Sequence, residues 1–212
     1  MNVKLISLTK PLDDEMNCED LIAYCARVSN PSNQNNTETA PNLLKYLIKH
    51  KHWSPLEMAS MTLEIKTSRA IAAQILRHRS FSFQEFSQRY SEAQELEPLE
   101  LRKQAEKNRQ SSSDIFEDSQ LSAQIREYLG KSLSLYREAI KKGVAKESAR
   151  LLLPLTTETT MYMSGTVRSW VHYIDLRSKE DTQKEHRDIA ESCRGIFIKH
   201  FPNISIALGW SE

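Results

Sequence analysis

Through most of this chain the apolar residues recur at the three-to-four-residue spacing of a helix, and alternation is confined to short segments. Met61, Leu63 and Ile65 alternate with Thr62, Glu64 and Lys66, which predicts a half-buried strand over 61–67. A strand is also expected at 3–9, stopped by Pro11, and another in the tail at 203–210. Helices are expected at 19–28, from Pro41 with a stripe of Leu43, Leu44, Leu47 and Ile48, and at 69–79 behind an N-cap at Ser68. Further helices are read at about 115–142, 146–153, 157–176 and 181–200, the last with Ile189, Cys193, Ile196, Phe197 and His200 on its apolar face. The polar residues 93–125 read as a partly helical excursion at the surface. No strand–helix–strand alternation is present, so the expectation is α+β: one domain over 1–212, helix-rich, with a small mostly antiparallel sheet and no Rossmann unit.

The 212 residues can bury one sizeable core. With a net charge of +1, the whole-molecule field does not announce nucleic acid or membrane binding, so any anion must be held by a local cluster. No apolar run approaches the roughly 20 residues of a membrane span, and the acidic turn at Asp13 and Asp14 does not suit a signal peptide. A cytoplasmic protein is expected. Cys18, Cys25 and Cys193 form no CxxC pair and read as reduced thiols. The five glycines make neither GxGxxG nor a Walker loop, so a bound nucleotide would rely on arginines, hydroxyls and helix N-termini.

The densest chemistry lies in RHRSFSFQEFSQRYSE, residues 77–92. Arg77, Arg79 and Arg89 repel one another unless anions intervene, and Glu85 can neutralise only one of them. Phe81, Phe83 and Phe86 stand among polar neighbours. A pocket for a phosphorylated planar ligand accounts for this mixture: arginines and serines for phosphate oxygens, Gln84 or Glu85 for polar ring edges. On the helix expected at 69–79, Gln74, Arg77 and His78 share a face.

Arg77-His78-Arg79, then seven residues, then Ser87, resembles the signature of the flavin-dependent thymidylate synthases. So do Arg89-Tyr90-Ser91, ARVS at 26–29, HWSPLE at 52–57, ARLLLP at 149–154 and TVRSWVHYIDLR at 166–177, in the family's order and over most of the chain. The resemblance implies methylation of dUMP to dTMP, with methylenetetrahydrofolate as carbon donor, FAD as cofactor and NADPH as reductant, in a homotetramer whose sites are shared between chains. It implies substrate binding by Gln74, Arg77, Glu85, Ser87, Gln88, Arg89, Arg150 and Arg177. It implies flavin binding by Ser54, Arg77, His78, Arg79, Glu85, Thr166, Arg168 and His172. The chain departs from the family at Gln84, Thr166 and His172, where asparagine is common, and at Asp181, where histidine is common.

The chemistry of the residues agrees. Carbon 5 of uracil becomes nucleophilic when negative charge on the ring oxygens is stabilised, and a fixed guanidinium does this without a proton transfer. Arg177 is the candidate catalytic residue. Ser87 has no identifiable neighbouring general base, so it reads as a binding residue. Two rivals are weighed. The arginine–aromatic segment 77–90 could bind single-stranded nucleic acid, against which stands the near-zero net charge. His50 and His52 with Glu57 could begin a metal site, but no third ligand follows by spacing, so no metal is expected.

Overall fold

The computed structural model describes residues 1–93 and 95–211. Among them are six strands: β1 (Asn2–Leu8), β2 (Ser60–Ser68), β3 (Ser82–Glu85), β4 (Arg102–Gln104), β5 (Ser112–Ile115) and β6 (Glu158–Thr166). β4 and β5 form a separate hairpin, and the others make one sheet in the order β1–β2–β6–β3 with every pair antiparallel. The helices are α1 (Cys18–Ala26), α2 (Ala40–Lys49), α3 (Arg69–Ile75), α4 (Ser119–Lys141), α5 (Lys146–Ala149), α6 (Val167–Arg177), α7 (Lys184–His200) and α8 (Pro202–Ala207). The fold is α+β, as the spacing of apolar residues predicts.

Alternation in β2 buries Met61, Leu63 and Ile65 completely, and β6 contributes Met161 and Met163 to the same face. They share one core with Trp170 and Ile174 of α6 and with Ile189, Cys193 and Phe197 of α7. Each such side chain contributes about 1.5–3 kcal/mol on burial. Trp170 fixes α6 to the sheet by donating its indole N–H to the Met61 carbonyl at 2.9 Å.

The long β2–β6 ladder positions the chemistry. Ser60 pairs with Thr166 and Ser68 with Glu158, so the ladder ends in two strand-to-helix junctions at opposite ends. Ser68 caps α3 by accepting from the Ile71 amide, and Thr166 caps α6 by accepting from the Ser169 amide. Segments near residues 69 and 166 are thereby held by one rigid pair of strands.

Several expectations are corrected. The segment 157–166 is a strand: Thr157, Thr159, Met161 and Met163 are buried in alternation, a period of 2 that outweighs helix continuity with α6. α3 stops at Ile75, where the Arg77 and His78 amides turn back to the Gln74 and Ile75 carbonyls, and Leu76 is exposed. Gln74, Arg77 and His78 are therefore gathered by a turn and not by a helix face. The tail is the helix α8, whose N-terminus is capped from afar: the buried Glu19 carboxylate accepts from the Asn203 and Ile204 amides at 3.2 and 2.7 Å. Within 93–125 the regular structure is the β4–β5 hairpin before α4 begins at Ser119.

Candidate functional site

The fold divides the dense segment among three settings. The first is a cavity of about 550 Å³ whose lining includes Gln74, Arg77, Leu176, Arg177 and Gln183. Arg177 ends α6 and donates from Nε to His78 Nε2 at 2.9 Å. A guanidinium only donates, so His78 Nε2 accepts and its proton sits on Nδ1. Burial and the Arg177 charge hold the His78 pKa down to about 4, so the ring is neutral near pH 7. Among the described residues no carboxylate pairs with Arg177, and the guanidinium at this cavity keeps an uncompensated charge. Asp181 lies exposed on the same wall.

The second setting carries the residues expected at a flavin. Ser54 opens a short turn (Ser54–Glu57), and Arg168 on α6 pairs with its Glu57. One turn along, the His172 ring meets Trp53 edge to face, centroids 4.7 Å apart. Burial, with the Arg168 charge, lowers the His172 pKa against the opposing pull of Asp175, so this ring is neutral as well. Thr166 is held as the α6 cap. Arg77 and Arg79 are exposed, and their side chains make no hydrogen bond or ion pair among the described residues. Gln84 lies on β3, opposite Tyr162.

The third setting is a more open cavity of about 400 Å³ lined by Ser87, Arg89, Tyr90, Lys146 and Glu147. Arg89 makes an exposed ion pair with Glu147 at 3.4 Å, and Arg150 Nε donates to the Glu147 carbonyl at 3.4 Å. Gln88 is buried, and its amide nitrogen has no partner among the described residues. Glu85 neutralises none of the three signature arginines: its carboxylate holds Arg69 at 2.6 Å and accepts from Thr159 at 3.0 Å.

Gln74, Arg77, His78 and Arg177 are thus brought together, whereas Ser87 and Arg89 line a separate cavity, and Arg150 is tied to the Glu147 backbone of that cavity without lining it. The sequence reading missed His186, which is fully buried between Tyr173 and Gln74. Its signal was its position: His186, Ile189, Ala190 and Cys193 form one buried stripe of α7, which puts a histidine among core residues. Cys18 and Cys193 are buried thiols away from these settings. Cys18 is pushed up to about 11 by burial and the Glu19 charge, and burial pushes Cys193 well up. His50 lies tilted against Tyr46 and His52 meets it edge to face, and no group of three or more metal-ligating side chains occurs among the described residues. No helix among them is long and apolar enough to cross a membrane.

A family model described as thymidylate synthase complementing protein matches residues 11–203. A probable flavin-dependent thymidylate synthase of Paramecium bursaria Chlorella virus 1 is 57% identical over 215 residues, covering 99% of this chain and all of the relative. A flavin-dependent thymidylate synthase of Synechocystis is 55% identical over 220 residues with the same coverage. A crystal structure of a UMP/dUMP methylase from Streptomyces cacaoi, bound with 5-Br dUMP, superposes with a TM-score of 0.82 over 98% of this chain and 94% of that one. At 23% identity this likeness shows a shared fold. With the motifs in order, the two strand-to-helix junctions in place and relatives matched end to end, the chain belongs to the flavin-dependent thymidylate synthase family.

Proposed function

We propose that residues 1–212 act as one flavin-dependent thymidylate synthase domain that methylates dUMP to dTMP, with methylenetetrahydrofolate as carbon donor and NADPH as reductant. The observation that carries the reading is Arg177: a guanidinium anchored through Nε by a neutral histidine, with no carboxylate partner, on the wall of a cavity of nucleotide size. A charge held this way is preorganised for an oxygen that becomes negative during reaction. Arg177 stabilises the uracil oxygen as carbon 5 gains electron density. Gln74 and Arg77 orient the nucleotide from the same wall. Ser87 and Arg89 take the phosphate from the second cavity, with Gln88 between them in sequence and Arg150 bonded to the Glu147 carbonyl at its edge, and Glu85 is held by Arg69 on β3.

FAD is the implied cofactor, and the residues fit it. Two guanidiniums unpaired among the described residues, Arg77 and Arg79, suit a pyrophosphate, and the edge-to-face Trp53–His172 pair offers aromatic surface for a planar ring on the element that carries Thr166 and Arg168. FAD when bound supplies the hydride that completes the new methyl group. His172, kept neutral, adds no positive charge beside it. A homotetramer in the cytoplasm completes the reading. It is supported by α4, whose 23 residues bury only Tyr136 and leave Leu121, Tyr128 and Leu135 exposed, and by Leu151, Leu155 and Tyr162 on the surface.

The test is turnover. FAD-saturated protein given dUMP, methylenetetrahydrofolate and NADPH should form dTMP, detected by chromatography, and should form none when NADPH is withheld. A folded, yellow protein that makes no dTMP under these conditions overturns the proposal.

A further inference from the structure

A directional chain of hydrogen bonds runs behind the first cavity. Arg102 of β4 only donates, and two of its donors hold Glu100 and Glu185. Glu185 stays ionised: burial raises its pKa, but the hydrogen bonds from Arg102, its own backbone and Gln183 prevail and lower it. An ionised carboxylate only accepts, so Gln183 turns its amide nitrogen to Glu185 at 2.9 Å and its oxygen to Gln74. Gln74 Nε2 then donates to Gln183 Oε1 at 2.6 Å, which leaves Gln74 Oε1 facing His186 Nδ1 at 3.2 Å. His186 must therefore carry its proton on Nδ1, and Nε2 accepts from the Tyr173 hydroxyl at 3.1 Å. Every amide and ring orientation in the chain follows from its donor-only end.

We propose that His186, as the single neutral Nδ1–H tautomer, is a positioning residue that locks the Gln74 side chain in the orientation presented to the substrate. Gln74 is only half-buried and lines the cavity beside Arg77 and Arg177, while His186 is fully enclosed behind it and cannot itself touch a ligand there. Without the Nδ1–H donor, Gln74 Oε1 loses its one partner among the described residues, and the side chain, held only through Nε2 by Gln183, can swing out of its place on the cavity wall. Burial together with the charges of Arg177 and His78 disfavours protonated His186, holding its pKa down to about 3, which keeps the tautomer from being lost near neutral pH. The inference rests on the reading that Gln74 contacts dUMP.

The test is dUMP affinity by calorimetry on FAD-saturated protein, which needs no turnover. An asparagine at 186 places its amide nitrogen where Nδ1 stood and keeps the donor; a glutamine places its amide where Nε2 stood and does not. His186→Asn should bind dUMP within about 2-fold of the parent, whereas His186→Gln and His186→Leu should bind roughly 3- to 10-fold more weakly, the usual effect of one neutral hydrogen bond. Tyr173→Phe leaves the imidazole in place, removes the donor that holds Nε2 as acceptor, and should weaken binding by about 2- to 3-fold. Equal affinities across the series, or equal weakening in step with thermal stability, overturn the inference and make His186 a packing residue. A parent protein that binds no dUMP, or whose affinity is indifferent to Gln74→Ala, instead overturns the assignment of the cavity.

Discussion

The two cavities proposed to take the nucleotide are built in opposite ways. Around Gln74 and Arg177 the polar groups are fixed by partners within the chain: half-buried His78 on Arg177, exposed Gln183 and buried His186 on Gln74, with buried Tyr173 behind His186. Around Ser87 and Arg89 the cationic groups stand exposed, and the ion pair Arg89–Glu147 leaves each side chain more than half open to solvent. The first arrangement is preorganised within one chain. The second is loosely held, as expected of a phosphate seat whose walls are completed by a neighbouring subunit. Ring activation needs an exact electrostatic geometry, and holding a phosphate needs mainly charge, so the difference follows the chemistry each cavity is proposed to do.

The sharpest way to break this comparison is Arg177. Arg177→Ala should lower methyl transfer about 100- to 1000-fold, the effect of losing one preorganised donor to a developing oxyanion. Arg177→Lys should fall between, since it keeps the charge but not the planar fork or the Nε bond to His78. Flavin reduction by NADPH should survive in both. Ser87→Ala in the open cavity should keep kcat and raise the KM for dUMP roughly 3- to 10-fold. Single-turnover measurement of the two half-reactions decides it; equal loss in both halves would make Arg177 a cap of α6 rather than the activating group.

A second contrast lies within the signature segment, whose Phe81 is packed in the core while Ser87 and Arg89 are exposed. Phe81, inside the signature, sits edge to face on Trp170 at 4.8 Å, and its ring fills the space beside Gly165 at the end of β6. A Cβ added at Gly165 would lie 2.4 Å from a Phe81 ring carbon. Gly165→Ala should cost about 1–3 kcal/mol by overpacking, measured as a drop in the urea midpoint. Adding Phe81→Leu should recover part of it. A stable Gly165→Ala protein would show that the Phe81 ring gives way easily and that the core under the signature segment is softer than its contacts suggest.

Acid should reveal the same asymmetry. Both His186 and His78 have folded pKa values below the ordinary 6.5, at about 3 and about 4. The fold therefore favours the neutral rings, and the unfolded chain takes up protons first. Their contribution to stability is fully present above about pH 6.5 and is lost as pH falls from there toward pH 3–4. Below about pH 5.5, His186 alone should add a slope of about 1.4 kcal/mol per pH unit. The groups facing it are Arg177, His78, Tyr173 and Gln74, none of which supplies a carboxylate that would reverse the sign. Urea midpoints at pH 7, 6, 5 and 4.5 should converge between His186→Asn and the parent as the pH drops. Parallel curves would mean that the fold leaves the His186 pKa where the unfolded chain has it, so that the neutral ring is not favoured by folding, and the tautomer argument would fail with it.

How much of this was legible in the sequence varied with the reach of the interaction. β2 and the Ser68 cap could be read because alternation and capping are local, and Arg177 could be read because it closes a motif-bearing helix. β6 was missed although its alternation of Thr157, Thr159, Met161 and Met163 is equally local: polar threonines at buried positions hid the period. α8 could not be read, since its cap comes from Glu19, 184 positions away. His186 was hidden for the opposite reason. It occupies a core position on α7, and only the fold shows that its ring nitrogens face a tyrosine and the Gln74 amide. Pairings were illegible in general: Glu85 answers Arg69, not an arginine of its own segment.

The smallest effect tests the open cavity itself. Glu147 lies on α5 and competes with any phosphate for Arg89. An ion pair this exposed contributes about 0–1 kcal/mol, so Glu147→Gln should leave the urea midpoint nearly unchanged. Freed of its carboxylate, Arg89 should bind the dUMP phosphate roughly 2- to 5-fold more tightly, the gain that dissolving a pair of that strength allows. The gain should shrink at high salt, where the competing pair is screened in the parent as well. Calorimetry at two ionic strengths measures both. If Glu147→Gln instead weakens dUMP binding, the carboxylate is positioning Arg89 rather than competing for it. The open cavity would then be preorganised by its own partners, just as the Gln74–Arg177 cavity is, and the two would differ in exposure but not in design.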